Sequence, residues 1–102
     1  MYAAGSVRDY PRKRLPVLVS RFEKLLFQLL RGTSDANFAF EDLRAILLHL
    51  GFDERTRGSH HIFRRPGIEE RITLQRDGKG AKPYQVRQVR TVILRHKLGG
   101  EG

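Results

Sequence analysis

Apolar residues recur along this chain with two different periods, and the change of period divides it. Phe22, Leu25, Leu26, Leu29 and Leu30 fall three and four apart, the spacing of one helix face. Ser20-Arg21-Phe22-Glu23 just ahead has capping-box spacing, and Gly32 stands where a helix C-cap belongs. Together they predict a short amphipathic helix over 20–31. Thr33 to Asn37 is a polar connector. Phe40, Leu43, Ile46, Leu47 and Leu50 then share a face of a second helix over 39–50, closed by Gly51. Glu41 and Asp42 lie in its first turn, where negative charge complements the helix dipole.

After Gly51 the period shortens. Phe52 to Arg57, His60 to Arg65 and Glu69 to Gln75 have strand length and are separated by the turn formers Gly58-Ser59 and Pro66-Gly67. Ile72 and Leu74 alternate with Arg71, Thr73 and Gln75, as in a half-buried strand. These segments predict a three-stranded antiparallel meander. Asp77 to Gly80 reads as a loop, and Pro83 suits the first position of a final helix whose apolar face is Val86, Val89 and Ile93, running to about Leu98. No internal repeat is present. The predicted class is α+β: an α-β-β-β-α unit with both helices on one sheet face, as in a double-stranded-RNA-binding domain, plus an extra N-terminal helix. Element order alone does not establish function.

Composition narrows the classes. The 102 residues hold 20 basic and 11 acidic side chains, a net charge of +9, and 39% hydrophobic residues, enough for one small core. There is no cysteine, which removes disulfides and thiolate chemistry together. No apolar run approaches membrane-spanning length, and Met1 to Arg14 carries charge without the apolar stretch of a signal peptide. The expectation is a soluble, cytoplasmic protein with a polyanionic partner, RNA first, and no membrane. The charge is uneven: residues 76–98 carry seven basic side chains against Asp77 alone. By composition, residues 1–19 read as a flexible basic arm containing Arg12-Lys13-Arg14, 20–37 as the extra helix and connector, 38–98 as the functional domain and 99–102 as a disordered tail.

Candidate chemistry is sparse. His49 and His96 lie in predicted helices without ligand-spaced partners, and adjacent His60 and His61 point to opposite faces of a strand, so no metal site is expected. Gly58-Ser59-His60-His61-Ile62-Phe63 remains. The glycine permits a tight hairpin, the serine offers a hydroxyl and an amide to phosphate, and an imidazole gives and takes protons near neutral pH. RNA cleavage by the substrate's own 2′-hydroxyl needs only proton transfer and cationic stabilisation of the phosphorane-like transition state. It therefore requires no cofactor. The plainer reading is that both histidines merely fill the hairpin.

Leu50-Gly51-Phe52, Gly58-Ser59-His60-His61-Ile62-Phe63, and Lys82-Pro83 with the helix after it resemble the HicA (YcfA-like) family of toxin–antitoxin toxins over about 38–98. The resemblance implies a small mRNA interferase that cleaves RNA through one histidine and is restrained by a HicB-type antitoxin protein. The family's catalytic histidine falls on His60, which leaves His61 a structural neighbour. Two departures stand out. Residues 1–37 are additional, and Arg76-Asp77 occupies a loop where relatives often carry a histidine.

Around His60, Arg57 and Arg64 on neighbouring strands are candidates to stabilise developing charge, with Ser59 positioning phosphate. Alternation places Arg64 with His60 and Ile62 on the open face, and Phe63 toward the helices. Lys79 and Lys82 flank the approach to a helix N-terminus, which suits a phosphate. Arg87 and Arg90, three apart, are expected on the exposed side of the last helix, facing an RNA backbone. Tyr84 is expected to pack against the sheet rather than stack on a base. The leucines of 20–31 and Phe22 read as core or as antitoxin-facing surface. Two rivals share the fold and charge: a non-catalytic RNA-binding module, and an interaction domain for an acidic protein.

Overall fold

A computed structural model of the chain describes residues 20–99, so the predicted arm over 1–19 and the tail from residue 100 lie outside the described part. The first helix, α1 (Arg21–Arg31), starts as its sequence dictates. Ser20 Oγ accepts from the Glu23 N–H at 3.1 Å, and Glu23 Oε1 accepts from the Ser20 N–H at 3.0 Å. It stops at Gly32, whose φ of +72° closes the last turn. A 3₁₀ turn (Asp35–Asn37) leads to α2 (Phe40–His49).

Three strands follow: β1 (Asp53–Arg57), β2 (His60–Arg65) and β3 (Ile68–Asp77). A two-residue strand, β4 (Gly80–Ala81), precedes α3 (Pro83–Arg95). The sheet is antiparallel in the order β1-β2-β3-β4. This is the expected α+β fold with both main helices beneath one sheet face and α1 added, the layout of a double-stranded-RNA-binding domain. Among the described residues no helix is long and apolar enough to cross a membrane.

Two expectations need correction. The segment Asp77 to Gly80 is not an open loop but the turn of a β3–β4 hairpin. The far edge of β4 is used as well, because the Ala81 N–H donates to the Phe38 carbonyl (2.9 Å) and the Phe40 N–H to the Lys79 carbonyl (3.0 Å). The chain entering α2 is thereby laced to the chain entering α3. The last helix also ends at Arg95 rather than near Leu98. Lys97 takes a φ of +54°, and the Leu98 N–H turns back to the Ile93 carbonyl at 2.9 Å, a Schellman closure that seats Leu98 against the core.

The core lies between sheet and helices. Phe63, Ile72 and Leu74 project from the sheet, Leu43, Ile46 and Leu47 from α2, and Val86, Val89 and Ile93 from α3. Leu25, Leu26 and Leu29 of α1 join the same cluster, so the extra helix is not a separate unit. Each large side chain buried in this way contributes roughly 1.5–3 kcal/mol. Opposite the bulge at Phe63–Arg65, β3 carries extra residues: Phe63 pairs with Ile72 but Arg65 with Ile68. Glu70, in this irregular stretch, reaches His96 Nε2 at 2.8 Å and also pairs with Arg95, holding the end of α3 to the sheet. The His96 hydrogen bond, Glu70's own backbone N–H and Arg95 together lower its carboxyl pKa to about 2.

Candidate active site

The β1–β2 hairpin turns on Gly58-Ser59, with Gly58 at a φ of +59° that L side chains rarely adopt. The register then fixes every neighbour. His60 stands opposite Arg57 on one side and Gln75 on the other. Phe63 is fully buried, so alternation sends His61 and Phe63 toward the helices and His60, Ile62 and Arg64 to the open face. The imidazole of His60 is exposed, with no hydrogen-bond partner among the described residues.

Two glutamines that the sequence reading passed over organise the ground beneath it. Gln75 Nε2 donates to Ser59 Oγ at 3.1 Å, pinning the hairpin turn to β3. Gln85, 2% exposed, continues the sheet where β4 stops. Its amide, oriented by the hydrogen-bond network, donates to the Gln75 carbonyl (3.1 Å) and accepts from the Gln75 N–H (3.0 Å). One row therefore crosses the sheet from Arg57 through His60 and Gln75 to the first turn of α3, where Lys82 is the N-cap. At about 4.8 Å per strand, the helix N-terminus stands some two strand spacings from His60.

His61, one residue on, lives in a different environment. Its Nδ1 lies 2.7 Å from Glu54 Oε2, and its ring meets Phe40 edge-on with centroids 4.9 Å apart. Arg44 Nε reaches both Glu54 oxygens, at 2.8 and 2.9 Å. The Arg44 guanidinium, and then the His61 hydrogen bond, hold the Glu54 carboxyl below the usual range against the opposing effect of burial. Nearby, Arg76 lies over the Phe40 ring at 4.4 Å and pairs with Glu41, whose carboxyl is likewise lowered, chiefly by that contact. These groups neutralise one another and lock α2 to the sheet.

The predicted cations fall into two sets. Arg57 and Arg64 are exposed on the open face beside Ile62, in a groove of about 580 Å³. Lys79 is exposed in the β3–β4 turn, Lys82 is half-buried at the start of α3, and Arg87 is exposed on its outer face. Arg90 is a correction. Its side chain is 18% exposed, and it grips both oxygens of Asp35 (2.8 and 2.9 Å) and the Leu29 carbonyl (3.2 Å). It is a strut between α3, α1 and the 3₁₀ turn, not a residue of the exposed side of α3. The Arg90 hydrogen bonds hold the Asp35 carboxyl below its ordinary value. Tyr84 departs from expectation too: it is 55% exposed and does not pack under the sheet.

Among the described residues no group of three or more His, Asp or Glu side chains is arranged to hold a metal ion. The site combines an imidazole, guanidinium and ammonium groups without partners among the described residues and a hydroxyl held at a hairpin turn, a set suited to proton transfer at a phosphodiester. A family model described as HicA toxin of bacterial toxin–antitoxin matches residues 40–96, more than half of the chain. The chain belongs to the HicA toxin family. No curated protein and no solved structure matches it. The HicA segment begins on the first residue of α2 and ends one residue past α3, so it contains the whole sheet and the Gly58–Phe63 motif. Helix α1 lies outside that segment, yet its leucines complete the core of this HicA toxin.

Proposed function

We propose that this HicA toxin is a metal-independent endoribonuclease that cleaves mRNA in the cytoplasm, with His60 as the proton-transfer group. The observation that carries the reading is the exposed imidazole of His60, without a partner among the described residues and directly across the strand pair from Arg57. As general base, it takes the proton of a ribose 2′-hydroxyl. The 2′-oxygen then attacks the adjacent phosphorus, the bond from phosphorus to the 5′-oxygen breaks, and the leaving oxygen takes a proton from water while His60 releases to solvent the one it removed. The products are a 2′,3′-cyclic phosphate (or the 3′-phosphate formed from it) and a 5′-hydroxyl. Because the nucleophile belongs to the substrate, the step needs neither a protein nucleophile nor a metal-bound water.

In this account Arg57 and Arg64 stabilise charge on the phosphorane-like transition state, and Ser59 positions the phosphate. Lys79, Lys82 and Arg87 hold flanking phosphates. The histidine that relatives often carry near the end of the third strand has no counterpart at Arg76-Asp77, so a single imidazole handles the proton. The partner that restrains the toxin is a HicB-type antitoxin, an acidic protein covering His60 and offering carboxylates to the arginines. Induction of the full chain in bacterial cells is expected to arrest growth, and induction of His60→Ala to the same level is expected not to. Equal arrest by both would remove His60 from the mechanism.

A further inference from the structure

Nine of the twelve arginines among the described residues fall into two sets. Toward the helices and their edges, Arg21, Arg44, Arg76, Arg90 and Arg95 each pair with a carboxylate. On the open face of the sheet, Arg55, Arg57, Arg64 and Arg71 line one groove of about 580 Å³ around Ile62. Among the described residues none of these four lies within salt-bridge reach of a carboxylate, although Asp53 lines the same groove. Arg55 stands opposite Ile62, which stands opposite Thr73, so uncharged side chains lie at the centre of the face and guanidinium groups around them. Like charges gathered on one rigid surface repel, and nothing in the fold requires them there: sheet stability rests on Phe63, Ile72 and Leu74 on the other side.

We infer that this open face is a binding track for single-stranded RNA, with Arg55 and Arg71 as phosphate-contacting residues beyond the hairpin. The inference rests on the ribonuclease reading for its choice of polyanion, and three features favour RNA over an acidic protein. Arg55 and Arg57, two apart on β1, are spaced by roughly 6.6 Å, a step comparable to that between successive phosphates of an extended strand. Guanidinium planes both pair with phosphate and stack on unpaired bases, whereas a folded acidic partner needs only charge. The track also runs without a break into the Arg57–His60 row, so a strand lying along it delivers a ribose to the imidazole. A flexible single strand can bring its 2′-oxygen in line with the leaving oxygen, which a stacked duplex does not allow.

The test compares the full-length parent with an Arg55→Ala/Arg71→Ala double variant. A short 2′-O-methyl oligoribonucleotide, which binds but cannot react, is titrated by fluorescence anisotropy between about 50 and 200 mM salt. Cleavage of an unmodified strand by the parent is measured alongside. Removal of two phosphate contacts should weaken binding roughly tenfold at the low-salt end and flatten the log–log salt slope by about 1.4, at about 0.7 per contact on a single strand. Unchanged affinity and slope, with the parent still cleaving RNA, would overturn the track and leave the ribonuclease reading standing. Weakened binding by the variant, with a parent that binds but never cleaves, would keep the track and sink the ribonuclease reading. A variant that binds the oligonucleotide like the parent but loses an acidic protein partner would overturn the inference in favour of a protein-docking face.

Discussion

Replacing His60 by alanine is expected to lower RNA cleavage by purified protein by about 10²–10⁴-fold, the range typical of a lost general acid or base. Binding of uncleavable RNA should stay close to that of the parent, because the proposed phosphate contacts fall on other residues. Stability should shift by no more than about 0.5 kcal/mol, since the ring is exposed and without partners among the described residues. The adjacent histidine supplies the contrast. His61→Ala removes the 2.7 Å contact to Glu54 and the edge of the Phe40 ring, so its effect should appear in the melting temperature. The two neighbouring imidazoles lie on opposite faces, so the two replacements are expected to separate chemistry from architecture. Parental cleavage rates in His60→Ala would contradict the catalytic assignment.

Arg90→Ala should be the most damaging replacement of a charged residue. The substitution strips three hydrogen bonds at once and leaves the Asp35 carboxylate, 18% exposed, without its counter-charge. Breaking a fully buried pair costs about 3–5 kcal/mol. With some water access, about 2–3 kcal/mol is the appropriate scale here, which corresponds to a fall of roughly 10–20 °C in Tm for a domain of this size. The Leu29 carbonyl and the Gly32 cap belong to the same junction, so the loss should loosen α1 against α3. RNA affinity, measured well below the transition, should not change. A variant that melts like the parent but binds RNA more weakly would restore Arg90 to the RNA-binding set.

Much of this architecture is legible in the sequence because it rests on local rules. The Ser20–Glu23 capping box and the leucine period specify α1, and alternation around Ile72 and Leu74 specifies β3. The hairpin glycine together with alternation suffices to put His60 outside and Phe63 inside. Failures occur where a distant partner decides. The pair Gly80–Ala81 has no pattern of its own and becomes a strand only because Arg76, Asp77 and the Phe38 carbonyl supply its hydrogen bonds. Arg87 and Arg90 look equivalent at a spacing of three, yet Asp35, 55 residues away in sequence, captures one of them. Helix α3 stops early because Lys97 adopts a left-handed turn, a conformation its side chain does not advertise. The Gln75–Gln85 pairing leaves no trace in composition or period, and only its place at the interrupted sheet edge gives it meaning.

The chemistry proposed for His60 predicts the ends left at each break. Mass spectrometry of RNA fragments produced by the purified full-length chain should find 2′,3′-cyclic phosphate (or 3′-phosphate) on one side of each break and 5′-hydroxyl on the other. A strand carrying a 2′-O-methyl group at the scissile nucleotide should survive intact. Fragments ending in 5′-phosphate and 3′-hydroxyl, or breakage at a 2′-O-methyl position, would contradict attack by the ribose hydroxyl and with it the role given to this histidine.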